Sequence, residues 1–135
     1  MAKASASVRI PVSADKVWQL AGGFLSLPDW LPLIAKSVSD QGGQVRHLTT
    51  QDGAKISERL ETFDNQGRTY SYSITQGPFP VTDYLATLKV SADGDQASVV
   101  EWSGTFTPAG VSDAEAEALF KGVYEGGLAA LKGNF

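Results

Sequence analysis

His47 and Glu58 stand in stretches whose other side chains are mostly apolar or small and polar, and a Tyr-x-Tyr pair, Tyr70 and Tyr72, follows in the next such stretch. The turn signals between these stretches decide which side chains share a face, because residues directly opposite in an antiparallel pair point the same way. Read as a two-residue turn, Asp52-Gly53 sets His47 opposite Glu58, Val45 opposite Leu60 and Thr49 opposite Ile56. Read as a three-residue loop with Gly67 left-handed, Asn65-Gln66-Gly67 sets Leu60 opposite Tyr72 and Thr62 opposite Tyr70. The two registers agree, placing Val45, His47, Ile56, Glu58, Leu60, Tyr70, Tyr72 and Ile74 on one apolar face. A three-residue turn at Asp93 to Asp95 adds Tyr84, Ala86, Leu88, Val100, Trp102 and Phe106. A one-residue bulge in the strand from 43 to 50 would instead turn Arg46 inward in place of His47, so that in either case a cation faces Glu58.

Ionisable groups on an apolar face are costly unless paired. One account of His47 and Glu58 is a satisfied structural contact within the core. The other is chemistry: a desolvated carboxylate beside an imidazole suits general acid and base work near neutral pH, with Tyr72 or Tyr70 as a neutral donor to a carbonyl oxygen. Glu58, His47 and Tyr72 are therefore the candidate catalytic residues. Trp30, Arg46, Tyr70, Phe79, Tyr84, Trp102, Phe120 and Tyr124 are the candidate ligand-binding residues around them. Phe79 is braced by Pro78 and Pro80 in the loop from Gln76 to Val81, either a rigid turn or a lid. There is no Walker loop, dinucleotide fingerprint, nucleophile elbow or cluster with metal-ligand spacing, so neither a cofactor nor a metal is expected.

The elements that must position these residues are short and regular. The chain has 135 residues, 42% hydrophobic and 19% charged, which points to a single globular domain over residues 1–135. Without cysteine there is no disulfide or thiolate chemistry, and a net charge of −4 with no basic cluster argues against nucleic acid or an anionic membrane as partner. No signal peptide and no run of roughly 20 apolar residues is seen, so a cytoplasmic protein is expected. Ser7 to Val12 alternates as a strand; Ser13 is placed to cap a short helix carrying Val17, Trp18 and Leu20, which Gly22-Gly23 ends. Pro28 and Pro32 limit the stretch from Phe24 to Ile34 to a broken turn or two. Residues 35–107 read as six strands. Ser112-Asp-Ala-Glu115 is a capping box that opens a helix toward Lys132, with Ala116, Leu119, Phe120, Val123, Tyr124, Gly127, Leu128 and Leu131 on its apolar stripe. Gly122, Gly126 and Gly127 inside that helix cost about 1 kcal/mol each relative to Ala, implying close packing on the sheet or room for a ligand beneath. The order of elements suits an α+β fold, an antiparallel sheet with helices on one face.

These elements, with Ala14-Asp-Lys-Val-Trp18, Phe24-Leu-Ser-Leu-Pro-Asp-Trp-Leu-Pro32, Gly43-Gln-Val-Arg-His-Leu48, Glu58-Arg-Leu-Glu61, Gly77-Pro-Phe-Pro-Val81 and Val100-Glu-Trp-Ser-Gly-Thr-Phe106, resemble the START and birch-pollen-allergen (SRPBCC) superfamily. Within it the chain is most similar to small bacterial polyketide cyclase/dehydrase proteins, also labelled MxaD-like, from about residue 5 to residue 135. The resemblance implies a helix-grip fold, a seven-stranded antiparallel sheet wrapped round the long C-terminal helix, with Glu58, Tyr70 and Tyr72 lining an apolar cavity and the Gly77 to Val81 loop at its entrance. Methanol-oxidation members of the MxaD-like group are exported, and this chain shows no export signal. Three functions follow as expectations. One is a cyclase or dehydratase acting on a hydrophobic carbonyl substrate; another is a carrier or sensor of a small hydrophobic molecule without chemistry. The third, a scaffold without ligand, is favoured if Phe120, Tyr124 and Trp102 fill the cavity; without a void of at least roughly 300 Å³ the binding and enzyme readings both weaken. Self-association to a homodimer is left open.

Overall fold

The computed structural model describes residues 2–135. Seven strands, β1 (Ala2–Ile10), β2 (Ile34–Asp40), β3 (Val45–Thr50), β4 (Lys55–Asp64), β5 (Thr69–Gln76), β6 (Val81–Ala92) and β7 (Ser98–Pro108), form one antiparallel sheet in the order β1-β7-β6-β5-β4-β3-β2. Between β1 and β2 lie the helix α1 (Ala14–Ala21) and a 3-10 turn over Phe24–Asp29, kinked at Ser26. The helix α2 (Asp113–Lys132) closes the chain and packs mainly along β1 and β7. This is the helix-grip fold.

Local chemistry explains the helix ends. The Ser112 hydroxyl accepts from the Glu115 amide while the Glu115 carboxylate accepts from the Ser112 amide, the reciprocal cap expected from the sequence. At α1 the expectation fails in part: Ser13 is the N-cap residue, but its side chain makes no capping hydrogen bond. Among the helix glycines only Gly127 has a packing reason, since a Cβ there would lie 2.5 Å from the Trp102 ring. Gly122 and Gly126 face open space.

Two turns differ from their expected lengths, and both differences bear on the site. The β3–β4 connection is a three-residue loop, Gln51-Asp52-Gly53, closed by the Thr50 amide donating to the Ala54 carbonyl at 2.9 Å, with Gly53 at φ +90°. The pairing consequently shifts by one residue, and Arg46, not His47, stands opposite Glu58. No bulge in β3 is involved. The β4–β5 turn takes four residues, Asn65 to Arg68, with Arg68 rather than Gly67 at positive φ (51°). Gly67 is needed instead for close approach: its amide donates to Asp64 Oδ1 at 3.1 Å, and a Cβ would meet that carboxylate at 2.6 Å. Phe63 therefore opposes Tyr70 in place of Thr62, and a bulge between Leu60 and Thr62 restores the expected pairing of Leu60 with Tyr72.

Candidate functional site

An apolar cavity of about 220 Å³ lies between the sheet and α2. Its floor is Leu48 on β3, Ile56 and Glu58 on β4 and Tyr72 on β5; Trp102 on β7 and Phe120 on α2 form one wall, and Leu27 and Leu31 another. Leu33, Asp52, Pro78 and Phe79 ring the mouth, so the loop from Gln76 to Val81 is at the entrance. The void is smaller than the expected 300 Å³ because aromatic side chains fill much of the interior: Trp102 stacks on Tyr124 at 4.8 Å, and Phe120 lies 4.9 Å from Tyr84 and 5.2 Å from Phe79. It is not filled, however, as a pure scaffold would require.

Glu58 sits at the inner end, and its partner is Arg46. Arg46 Nε donates to Glu58 Oε1 at 2.8 Å, Nη2 lies 2.7 Å from the same oxygen, and Nη1 donates to the Phe24 carbonyl at 2.6 Å. The guanidinium also lies 4.1 Å from the centre of the Phe24 ring and 5.0 Å from that of Tyr72. Its side chain is 1% exposed, that of Glu58 8%. Both contacts from Arg46 fall on Oε1. Among the described residues nothing donates to Oε2, which is nevertheless not one of the sealed, unpartnered polar atoms; it remains open to the cavity that Glu58 lines. Burial pushes the Glu58 carboxyl above the usual carboxylate range, against the pull of Arg46. Burial likewise opposes the charge on Arg46, but the adjacent carboxylate outweighs it and holds the guanidinium cationic.

Tyr72 is the diagonal neighbour of Glu58 on β5, one pair removed from Ile74, which opposes Glu58. Its hydroxyl accepts from Trp102 Nε1 at 3.0 Å, and no described residue accepts its proton. Burial, reinforced by the Glu58 charge, holds its pKa well above the ordinary phenol, so Tyr72 is a donor at neutral pH. Tyr84 shares a 2.5 Å hydrogen bond with Tyr124, and burial raises both phenols too.

His47 does not belong to this site. The three-residue turn puts it on the outer face of the sheet, its side chain 47% exposed, with Nδ1 2.8 Å from Ser57 Oγ and Nε2 3.1 Å from Asp40 Oδ2. Trp30, Tyr70 and Tyr124 are buried but do not reach the cavity surface. Trp30 packs edge-on against Trp102 at 6.0 Å with Nε1 unpartnered among the described residues, Tyr70 lies against Phe24 and Trp18, and Tyr124 lies behind Trp102 and Tyr84. Arg46, Phe79, Tyr84, Trp102 and Phe120 do line it. Sequence reasoning missed Leu27, Leu31, Leu48 and Asp52. Leu48 follows from the corrected register, while the leucines come from the Pro-rich segment, which has no period to read.

The seven-stranded grip on a long helix over an internal cavity is a START-like fold, shared with a START superfamily protein from Mycobacterium smegmatis (TM-score 0.81, 15% identity, 98% of this chain and 95% of that one). The family described as "Polyketide cyclase / dehydrase and lipid transport" matches residues 1–135, and the chain belongs to that family. It is similar to the protein XoxI of Bacillus cereus, at 54% identity over 100% of this chain and 96% of that one with a TM-score of 0.97. An uncharacterized protein of Bacillus thuringiensis is 52% identical over 99% and 98%, also with a TM-score of 0.97. No functionally curated protein matches the chain. No helix among the described residues is long and apolar enough to cross a membrane.

Proposed function

We propose that the protein takes a small hydrophobic carbonyl compound into the cavity and catalyses its cyclisation or dehydration, with Glu58 moving the proton and Tyr72 holding the carbonyl oxygen. The observation that carries this is the pairing of an unengaged carboxylate oxygen with an unengaged phenol proton at the inner end of an apolar pocket. In such a step Glu58 Oε2 accepts a proton from the carbon beside a ketone, and the Tyr72 hydroxyl donates a hydrogen bond to the enolate oxygen that forms. The enolate carbon attacks a second carbonyl of the same folded molecule. The proton on Glu58 passes to the alkoxide so formed; Glu58 then takes the second proton from the same carbon and returns it to the departing hydroxyl, which leaves as water as the new carbon–carbon double bond forms. Arg46, which also lines the cavity, orients the carboxylate through Oε1. Burial favours the exchange by bringing the carboxyl nearer neutrality.

Native mass spectrometry of the purified protein identifies what it carries, and incubating that compound with wild type and with Glu58→Gln, followed by liquid chromatography and mass spectrometry, tests turnover. Conversion by wild type that falls tenfold or more in Glu58→Gln is the expected result. A compound held but returned unchanged by wild type leaves a carrier or sensor and removes the catalytic half of the reading.

A further inference from the structure

The outer face of the sheet, away from the cavity, carries a second constellation, and its geometry points to an acyl-transfer site that hydrolyses short-chain esters. Ser57 is its nucleophile, His47 the general base, Asp40 the group that positions the base, and Gln76 the donor to the developing oxyanion. Register brings them together. Val38 opposes His47, His47 opposes Ser57 and Ser57 opposes Gln76, so these four side chains form one row across β2, β3, β4 and β5. Asp40 stands two residues along β2 from Val38, diagonally across from His47. Val38, His47, Ser57 and Gln76 line one open groove, in which Val38, 46% exposed, offers an apolar contact to a short acyl chain.

The hydrogen bonds of the cluster run in one direction. Asp40 Oδ1 accepts from the Gln41 amide at 2.7 Å, and Asp40 Oδ2 lies 3.1 Å from His47 Nε2. The bond to His47, with that from Gln41 behind it, holds the Asp40 carboxyl below the usual carboxylate range. An ionised carboxylate can only accept, so the hydrogen of a neutral imidazole sits on Nε2 and Nδ1 is left as an acceptor. Nδ1 lies 2.8 Å from Ser57 Oγ, and the Ser57 hydroxyl donates to it. A hydroxyl on a base whose other nitrogen is oriented by a carboxylate is the arrangement that activates serine, and it is recognised by geometry rather than by fold. The turn that fixes Asp40 is itself strained. Gln41 takes φ +50°, a left-handed conformation unfavourable for a residue with a side chain, and such strain collects where a geometry is held for function.

Hydrolysis then proceeds in two halves. Ser57 Oγ bonds to the ester carbonyl carbon as its proton passes to His47 Nδ1, and the carbonyl electron pair moves onto oxygen. Gln76 stands directly opposite Ser57, where Cβ atoms lie about 5 Å apart, so its side-chain N–H can meet that oxyanion. The bond to the alkoxy group breaks, and that group takes the proton from Nδ1 and leaves as alcohol. Water, giving a proton to Nδ1, attacks the acyl-serine; Ser57 Oγ departs with that proton and the acid is released.

A fluorophosphonate probe mapped by peptide mass spectrometry, with p-nitrophenyl acetate hydrolysis followed at pH 7, tests the site. The probe is expected on Ser57, and both labelling and hydrolysis should fall at least tenfold in His47→Ala, with hydrolysis falling as far in Ser57→Ala. Asp40→Asn should slow labelling at least tenfold and Asp40→Glu should recover part of that loss, which a merely structural role would not produce. Gln76→Ala should lower kcat at least tenfold with KM within twofold. A probe that avoids Ser57 or spreads evenly over exposed serines overturns the inference, as does hydrolysis at the wild-type rate in Ser57→Ala or undiminished labelling in His47→Ala. The wild-type labelling decides even where a variant does not fold, and because the groove and the cavity lie on opposite faces of the sheet, the result leaves the cavity reading untouched.

Discussion

The Arg46–Glu58 pair is the place to measure what the site costs the fold. Replacing Glu58 with Leu leaves a guanidinium that cannot discharge, 1% exposed, with the Phe24 carbonyl and the Phe24 and Tyr72 rings but no counter-charge to hold it. Breaking a buried pair in this way costs about 3–5 kcal/mol. For 135 residues, an unfolding entropy of about 2.1 cal/mol/K per residue converts each kcal/mol into about 3.5 °C, so Tm should fall by about 10–18 °C. Arg46→Met should cost less, because the stranded carboxyl can take up a proton, a direction its burial already favours. The double variant Arg46→Met/Glu58→Leu removes both charges and should be neutral or up to about 4 kcal/mol more stable than wild type. Urea unfolding of all four proteins at pH 7, followed by far-UV circular dichroism, gives the cycle. If the double variant is clearly less stable than wild type while its loss is smaller than the sum of the two single changes, the pair stabilises the fold outright and its retention needs no functional account. If it is stable yet binds the compound identified by native mass spectrometry at least tenfold more weakly, the charges are kept for the ligand.

The same carboxyl predicts a pH dependence. Its pKa is raised on folding, so its protonated form favours the native state; that contribution is present below its ordinary value of 4.5 and is lost as pH rises through the raised value. Glu58→Gln should therefore gain on wild type in unfolding free energy as pH climbs from 4.5 toward 8, and a constant difference across that window contradicts the burial argument. Gly122→Ala and Gly126→Ala meet nothing within 4 Å and should each raise stability by up to about 1 kcal/mol in thermal melts. His47→Ala, on the outer face, should leave affinity for the compound identified by native mass spectrometry within twofold of wild type, and a tenfold loss would return His47 to the site.

Much of this architecture was legible in the sequence because it rests on local signals. The Ser112 to Glu115 cap, the prolines that break Phe24 to Ile34 and the alternation through β4 to β7 each carry their own chemistry. The site was less legible because it depends on parity. Asp52-Gly53 is compatible with a two-residue or a three-residue connection, and choosing between them exchanges every inward side chain of β3 for its neighbour. The Thr50 hydroxyl, bonded to Asp52 and to the Ala54 amide, favours the longer loop, and that contact becomes visible only once the strands are paired. At the β4–β5 turn an extra loop residue and the bulge between Leu60 and Thr62 cancel, so Tyr72 lies where the shorter loop would have put it. Glu58 and Tyr72 thus reached the cavity under either count of turn residues, whereas Arg46 and His47 exchanged places.

One line of contacts from the helix to the site gives a cost in α2 a consequence in β5. Gly127 weakens the helix by about 1 kcal/mol relative to Ala, but its missing Cβ is what allows Trp102 to lie against α2, since a methyl there would come within 2.5 Å of the ring. With its ring seated there, Trp102 directs Nε1 to the Tyr72 oxygen. A phenol that accepts from an indole keeps its own proton for another acceptor, and none of the described residues takes it. Arg46 acts similarly on the carboxylate, occupying Oε1 twice and leaving Oε2 open. Each of the two groups is thus anchored through one bonding position and left free at the other. A core selected for stability alone would have satisfied both positions or replaced the groups with apolar side chains.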